Sequence, residues 1–265
     1  MDARAGDRGR VDDLAATHLG SVSASAPVID NRARASIVVT VGATGAGKSS
    51  GIEFALREAP PHRLMVFDPG EDYTHLGTVF RDPRKLCAHL IKAGQGACHA
   101  VFVPSLDQDR ERVQFDWFCR IAFLAGHVMV VADELEDVML PTWAPAGWRL
   151  LVRKGRKRGV RIIASSQRPA GLEKRVWSFA TIVRSGVLEN EEDAAVVAGR
   201  LRVHQHDIMA LPELHWVQWT RAGRLITRGH VQWHMGTPRD VVDSEEKFTP
   251  PGMPPGGPYG TPPIG

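Results

Sequence analysis

Short apolar runs alternate with longer amphipathic stretches through most of the chain. Ile37-Val38-Val39-Thr40-Val41, Leu64-Met65-Val66-Phe67, Ala100-Val101-Phe102-Val103, Val128-Met129-Val130-Val131, Ile162-Ile163-Ala164 and Thr181-Ile182-Val183 are runs in which apolar positions follow one another without interruption by charge. Uninterrupted runs rich in β-branched residues predict strands covered on both faces. Helical patterns lie between them. One runs from Gly47 to about Glu58 and stops before Pro60-Pro61. A second begins at Asp82, a capping residue, with Pro83 pre-set for the first turn. Longer ones cover about 109–125 and 146–158. This βαβα order predicts an α/β fold with helices layered on both faces of a mostly parallel sheet. After Leu211 the pattern changes: Trp216-Val217-Gln218-Trp219 and Leu225-Ile226-Thr227 flank Ala222-Gly223, which predicts a C-terminal β-hairpin.

The ends differ from the middle. Residues 1–35 are rich in Ala, Arg, Asp and Ser with few large apolar groups, and residues 245–265 are dominated by Pro and Gly. Neither can bury enough surface to offset chain entropy, so a flexible arm and a disordered tail are expected around a folded core at 36–244. The chain has 265 residues, 33 basic against 30 acidic side chains and a formal charge of +3. That excess is too small to identify a nucleic-acid partner; the distribution of charge carries more. No run reaches the roughly 18 apolar residues of a membrane span, and the N-terminus has no apolar signal core. Cys87, Cys98 and Cys119 are far apart, which fits a reducing compartment rather than a disulfide framework.

The most specific chemistry is at the end of the first strand. Gly42-Ala43-Thr44-Gly45-Ala46-Gly47-Lys48-Ser49 fits G-x-x-x-x-G-K-[ST], placed after a strand and opening a helix as that motif requires. Glycines let amides turn inward around an anion, and the helix N-terminus adds partial positive charge. Residues 42–50, ending at Ser50, are therefore the candidate triphosphate cradle, with Lys48 reaching the β- and γ-phosphates and Ser49 holding Mg²⁺. Two shorter patterns overlap it. Gly47-Lys48-Ser49-Ser50-Gly51 fits the G-x-S-x-G nucleophile elbow, and Gly45, Gly47 and Gly51 loosely suggest a dinucleotide loop. Neither explains the lysine or the four-residue spacing.

His127-Val128-Met129-Val130-Val131-Ala132-Asp133-Glu134 is an apolar strand ending in two carboxylates. In a parallel sheet such an end faces the ligand crevice. Asp133 would order the magnesium shell, directly or through water, and Glu134 would polarise the attacking water. A surface capping pair is the competing reading. Three strands precede this one, so others can lie between it and the phosphate-loop strand. A further strand runs into Ser165-Ser166-Gln167-Arg168-Pro169, placing the Gln167 amide where it would stand beside a γ-phosphate.

In order along the chain, G-A-T-G-A-G-K-S, Phe67-Asp68-Pro69-Gly70-Glu71-Asp72-Tyr73, V-V-A-D-E, G-R-K-R-G-V and S-S-Q-R-P together resemble the HerA–FtsK superfamily of P-loop ATPases. The resemblance spans about 36–228 and in size is nearest the genome-packaging ATPases of tailless, internal-membrane-containing bacteriophages. It implies an additional-strand, catalytic-glutamate P-loop fold using ATP and Mg²⁺. It also implies a homo-oligomeric ring, usually a hexamer, that moves double-stranded DNA through its centre. Gln167 would be the polar sensor, and a trans-acting arginine is expected near its strand, where both Arg156 and Arg158 fit. For a viral protein the resemblance places it at the virion vertex or in the host cytoplasm, with a capsid vertex protein as a further partner; otherwise it would be cytoplasmic. An alternative is a conjugation-type or phage-assembly ATPase acting on protein partners at a membrane. A nucleotide-binding switch is a third, against which the Asp133-Glu134 pair stands.

Between Arg149 and Arg161 lie seven basic residues and no acid. Such a run is either a solvated face or a surface for DNA phosphate or a neighbour's nucleotide; movement without sequence preference needs backbone contacts only. His204, His206 and His215 show no recognised metal spacing and read as solvated or packing histidines.

Overall fold

The structure is a computed structural model and describes residues 37–247. The expected N-terminal arm, and the expected tail from 248 onward, lie outside the described residues. One ten-stranded sheet organises the rest. Its strands are β1 (Ile37–Val41), β2 (Arg63–Phe67), β3 (Thr78–Phe80), β4 (Cys98–Phe102), β5 (Met129–Ala132), β6 (Arg161–Ser166), β7 (Ile182–Ser185), β8 (His215–Thr220), β9 (Leu225–His234) and β10 (Thr237–Lys247). They lie in the order β10-β9-β8-β7-β1-β6-β5-β2-β4-β3. From β7 to β3 every pairing is parallel, and β8, β9 and β10 extend the sheet antiparallel beyond β7.

The strand periodicity of two divides the core. Ile37, Val39, Val41, Met65, Phe67, Val130 and Ile162 face the larger cluster. They are met there by α3 (Gln108–Ala125), α5 (Ala146–Lys154), α6 (Lys174–Phe179) and α7 (Glu191–Leu201), through residues such as Phe118, Trp148, Trp177 and Val197. Phe67 stands at the centre, with ring centroids 4.8 Å from Phe115 and 5.5 Å from Phe118. Leu64, Val66, Val131 and Ile163 face the other side, covered by Ile52 and Leu56 of α1 (Lys48–Glu58) and by Tyr73. Helices thus cover both faces, the layering that the uninterrupted apolar runs require. α2 (Pro83–Ala93) begins at the expected cap, with the Asp82 carboxylate accepting from the Arg84 amide.

Several elements differ in detail from the sequence reading. The strand between β1 and β5 is β6, which follows the Asp-Glu strand in sequence rather than preceding it. The expected hairpin is a three-stranded antiparallel extension, because β10 pairs along β9 and runs to Lys247, past the expected core boundary at 244. Short α4 (Leu135–Val138) follows β5 at once, and α8 (Gln205–Met209) leads into β8. Among the described residues no helix is long and apolar enough to cross a membrane.

Candidate functional site

Parallel register brings four chain segments to one edge. Val41 pairs with Ser166, Ala132 with Ala164 and Phe67 with Ala132, so the segments after β1, β2, β5 and β6 emerge side by side at the strands' C-terminal ends. These segments carry the phosphate loop, Asp68, the Asp133-Glu134 pair and Gln167.

The loop at 42–47 turns back on itself through Gly45 (φ 78°) and Gly47 (φ 84°), both in the left-handed region that glycine enters freely. It delivers Lys48 to the first position of α1. The loop is anchored from below: the Gly42 amide donates to the Ser166 carbonyl and the Ala43 amide to the Val187 carbonyl at 2.8 Å. The Ala43 amide is thereby committed to the scaffold, so Ala43 anchors the cradle rather than offering its N–H to an anion. Lys48 Nζ donates to the carbonyls of Gly42 and Ala43 at 2.8 and 3.0 Å. Burial lowers the Lys48 ammonium's pKa, against the opposing pull of Asp133, Glu136, Glu134 and Asp72. Ser49 and Ser50 sit in the first turn of α1, which is not the strained strand-to-helix elbow of a serine nucleophile.

Asp133 is buried and receives the Ser165 hydroxyl and the Glu134 amide. Burial pushes its carboxyl up, with Ser165, Glu134 and Lys48 acting in the opposite sense. Beside it, buried Asp68 accepts from the amides of Asp72 and Tyr73, each at 2.9 Å. Asp68 therefore shapes a turn that brings Asp72 toward the site and buries Tyr73 against the Ser49 side. Glu71 is exposed and is paired with Arg81 in a two-pronged contact at 3.2 and 2.8 Å.

Glu134 has φ 49°, a left-handed conformation unusual for a side chain of its size. This backbone kink ends β5 and starts α4. The side chain reaches Gln167, whose Nε2 donates to Glu134 Oε1 at 3.2 Å. The other end of the same amide accepts from the Thr44 hydroxyl at 2.8 Å. One glutamine side chain thus spans from the phosphate loop to the candidate catalytic carboxylate. Burial raises the Glu134 pKa, reinforced by Asp133, Asp137, Glu136 and Asp72.

Two supporting residues escaped the sequence reading. Glu136 Oε1 accepts the backbone amides of Gln167 at 2.6 Å and Arg168 at 3.1 Å. Buried Asp193 accepts from Arg168 Nε and the Ala170 amide, each at 2.8 Å. Together they pin the segment carrying Gln167. Glu136 was legible only as the second residue after the Asp-Glu pair, a position with no motif of its own.

Arg156 and Arg158 are not brought to this site within the chain. They precede β6, whose C-terminal end carries Gln167, so they lie at the opposite end of the sheet, about 15–20 Å away by strand rise. Arg158 donates to the carbonyls of Phe123 and Leu124 at the end of α3. Arg156 is exposed. His204 and His206 lie at the start of α8, separate from His215 on β8.

Comparison with known proteins bears on the fold. Protein P9 of Pseudoalteromonas phage PM2 is 28% identical over 192 residues, covering 70% of this chain and 85% of that protein. The genome packaging NTPase B204 from Sulfolobus turreted icosahedral virus 2, solved in complex with AMPPCP, superposes with a TM-score of 0.59 at 18% identity, covering 74% of this chain and 97% of B204. VirB4 of Thermoanaerobacter pseudethanolicus superposes with a TM-score of 0.55 at 13% identity, covering 76% and 90%. No family model matches the chain. The chain has the fold of B204 and VirB4, and the resemblance read from its motifs is borne out at the level of the fold.

Proposed function

We propose that this protein is an ATP-hydrolysing motor that moves double-stranded DNA, of the viral genome-packaging kind. The observation that carries the reading is the Thr44–Gln167–Glu134 bridge, which couples the phosphate loop to a carboxylate able to take a proton. The likeness to B204 and to phage protein P9 supports packaging over other uses of the same fold.

The site residues divide the work. Amides of Thr44, Gly45 and Gly47, with those of Lys48 and Ser49 at the start of α1, hold the triphosphate, and Lys48 exchanges its loop carbonyls for β- and γ-phosphate oxygens. The donor set fits Mg²⁺: the Ser49 hydroxyl lies in the first turn of α1, and the buried carboxylates of Asp133 and Asp68 repel one another in a way a divalent cation relieves. Bound there, the ion would neutralise charge on the phosphates, held by Ser49 and, directly or through water, by Asp133. Glu134 accepts a proton from the attacking water as the new oxygen–phosphorus bond forms. The bond from the γ-phosphorus to the bridging oxygen breaks, and ADP leaves with the electron pair. Gln167 holds Glu134 in register with the loop and registers loss of the γ-phosphate.

DNA would be held through phosphates. Arg149, Arg153 and Lys154 of α5 line one open groove together with Arg175 of α6, a residue outside the basic run seen in the sequence. A ring, hexameric by the family resemblance, would use Arg156 or Arg158 toward a neighbouring subunit's nucleotide. The test is steady-state hydrolysis with and without duplex DNA. DNA of unrelated sequences should raise turnover equally, the effect should fall steeply between low and moderate salt, and Lys48→Ala should abolish it. Turnover indifferent to DNA at low salt would refute the DNA assignment.

A further inference from the structure

The antiparallel extension assembles three chemically matched side chains that have no part in the nucleotide site. His215 on β8 and His230 on β9 are direct cross-strand partners. Their rings stack at 5.3 Å between centroids. On β10 the register shifts between Val242 and Ser244, and the residue in that irregularity is Asp243. A bulge re-aims a side chain, and here the Asp243 carboxylate meets His230 Nδ1 at 3.1 and 3.2 Å. One ligand-type atom from each of the three residues lies within 4.8 Å of the others.

We propose that His215, His230 and Asp243 form a binding site for a divalent transition metal of the zinc type. Two imidazoles and one carboxylate suit zinc and its neighbours, whereas Mg²⁺ and Ca²⁺ prefer oxygen alone. The spacing fits. Two ligands each about 2.0–2.1 Å from a tetrahedral zinc stand about 3.3 Å apart. The His230–Asp243 separation, a hydrogen-bond contact while no metal is bound, is near that value. His215 is already oriented: its Nδ1 lies 3.0 Å from the Glu213 carbonyl, so Nδ1 donates there and Nε2 keeps its lone pair. An outer acceptor on the other ring nitrogen is the usual support for a metal-binding histidine. Asp243, the most exposed of the three, has the freedom to close the set, and the fourth position falls to water. The site also adjoins the phosphate loop through the chain. Leu214 and Val231, the neighbours of His215 and His230, are the residues that pack over Gly47, and the Val231 amide donates to the Leu214 carbonyl. A metal that clamps β8 to β9 would stiffen the wall behind the loop.

Calorimetric titration of Zn²⁺ into the full-length, tag-free, nucleotide-free protein tests this directly. One Zn²⁺ per chain is expected, and Co²⁺ at the same site should show the visible bands of a tetrahedral complex. His215→Ala and His230→Ala should each weaken Zn²⁺ at least about 100-fold, and Asp243→Asn about 10-fold, with far-UV circular dichroism and ATP binding unchanged. Should either alanine variant misfold, His215→Gln or His230→Gln, close in size and still polar, should show the same loss. Absence of stoichiometric Zn²⁺ binding, or wild-type affinity in folded variants lacking either histidine, would overturn the proposal.

Discussion

At the residue scale, a single amide and a single carboxylate decide how the site is aligned. Gln167 is useful only while its backbone is fixed, and Glu136 fixes it by accepting two amides with one oxygen. Glu136→Ala should therefore lower kcat by about 10²-fold, the scale of a misplacement near 1 Å, and leave KM for ATP within a few-fold. Glu136→Gln, which retains a carbonyl acceptor, should restore much of the loss. An equal effect on KM would instead mark Glu136 as part of the nucleotide cradle. The pH dependence follows from two groups. Glu134 must be ionised to take a proton, and burial beside other acids raises its pKa; activity should fall on the acid side at a pH above the ordinary glutamate value. Lys48 must be charged, and burial lowers its pKa; activity should fall on the alkaline side before an ordinary lysine would titrate. The kcat/KM profile should accordingly be a bell narrowed from both sides, and a flat profile down to pH 4.5 would contradict this. The placement of Lys48 at the start of α1, and of Asp133, Glu134 and Gln167 just past strand ends, was legible in the sequence because each belongs to a recognisable pattern. Glu136 and Asp193 were not, because they act by accepting backbone amides, for which sequence carries no signature.

At the element scale, legibility followed burial. Strands covered on both faces announce themselves as apolar runs, and the expected positions of β1, β2, β4, β5, β6 and β7 match the structure closely. β3 is three residues at the sheet edge, too short for any period. β10 reads Thr-Pro-Arg-Asp-Val-Val-Asp-Ser-Glu-Glu-Lys, a charged strand with a proline; as the other edge of the sheet it gains protection from edge-to-edge pairing by that composition. It is held by the Arg184–Asp240 ion pair, with Arg184 4.2 Å over the Trp216 ring and against Gly51 of α1. The extension therefore braces the helix that opens at the phosphate loop. Gly229 permits it: a Cβ there would stand 2.1 Å from the Val241 carbonyl and 2.5 Å from Trp216 Cζ2. Gly229→Ala should cost about 1–3 kcal/mol of stability in denaturant unfolding, and should weaken nucleotide binding more than a comparably destabilising change on β3. A neutral Gly229→Ala would mean β10 does not pack as described.

At the scale of the whole molecule, the sheet separates two chemistries. Its C-terminal edge gathers the anion cradle and the carboxylates, while its other end carries exposed Arg156, Lys157 and Arg158. In the ring proposed above, Arg156 or Arg158 would serve a neighbour's nucleotide, because both stand at the sheet end away from their own chain's site. Strand order itself could not be read in advance, because parallel crossovers leave no local mark, and the strand next to β1 came from later in the chain than the Asp-Glu strand. In the proposed reaction Glu134 is the group that removes the proton from the attacking water. The most direct measurement is single-turnover cleavage of bound ATP by Glu134→Gln beside the wild type. ATP should bind with unchanged affinity while cleavage falls by about 10²–10⁴-fold. Cleavage at the wild-type rate by a variant that binds ATP normally would contradict it.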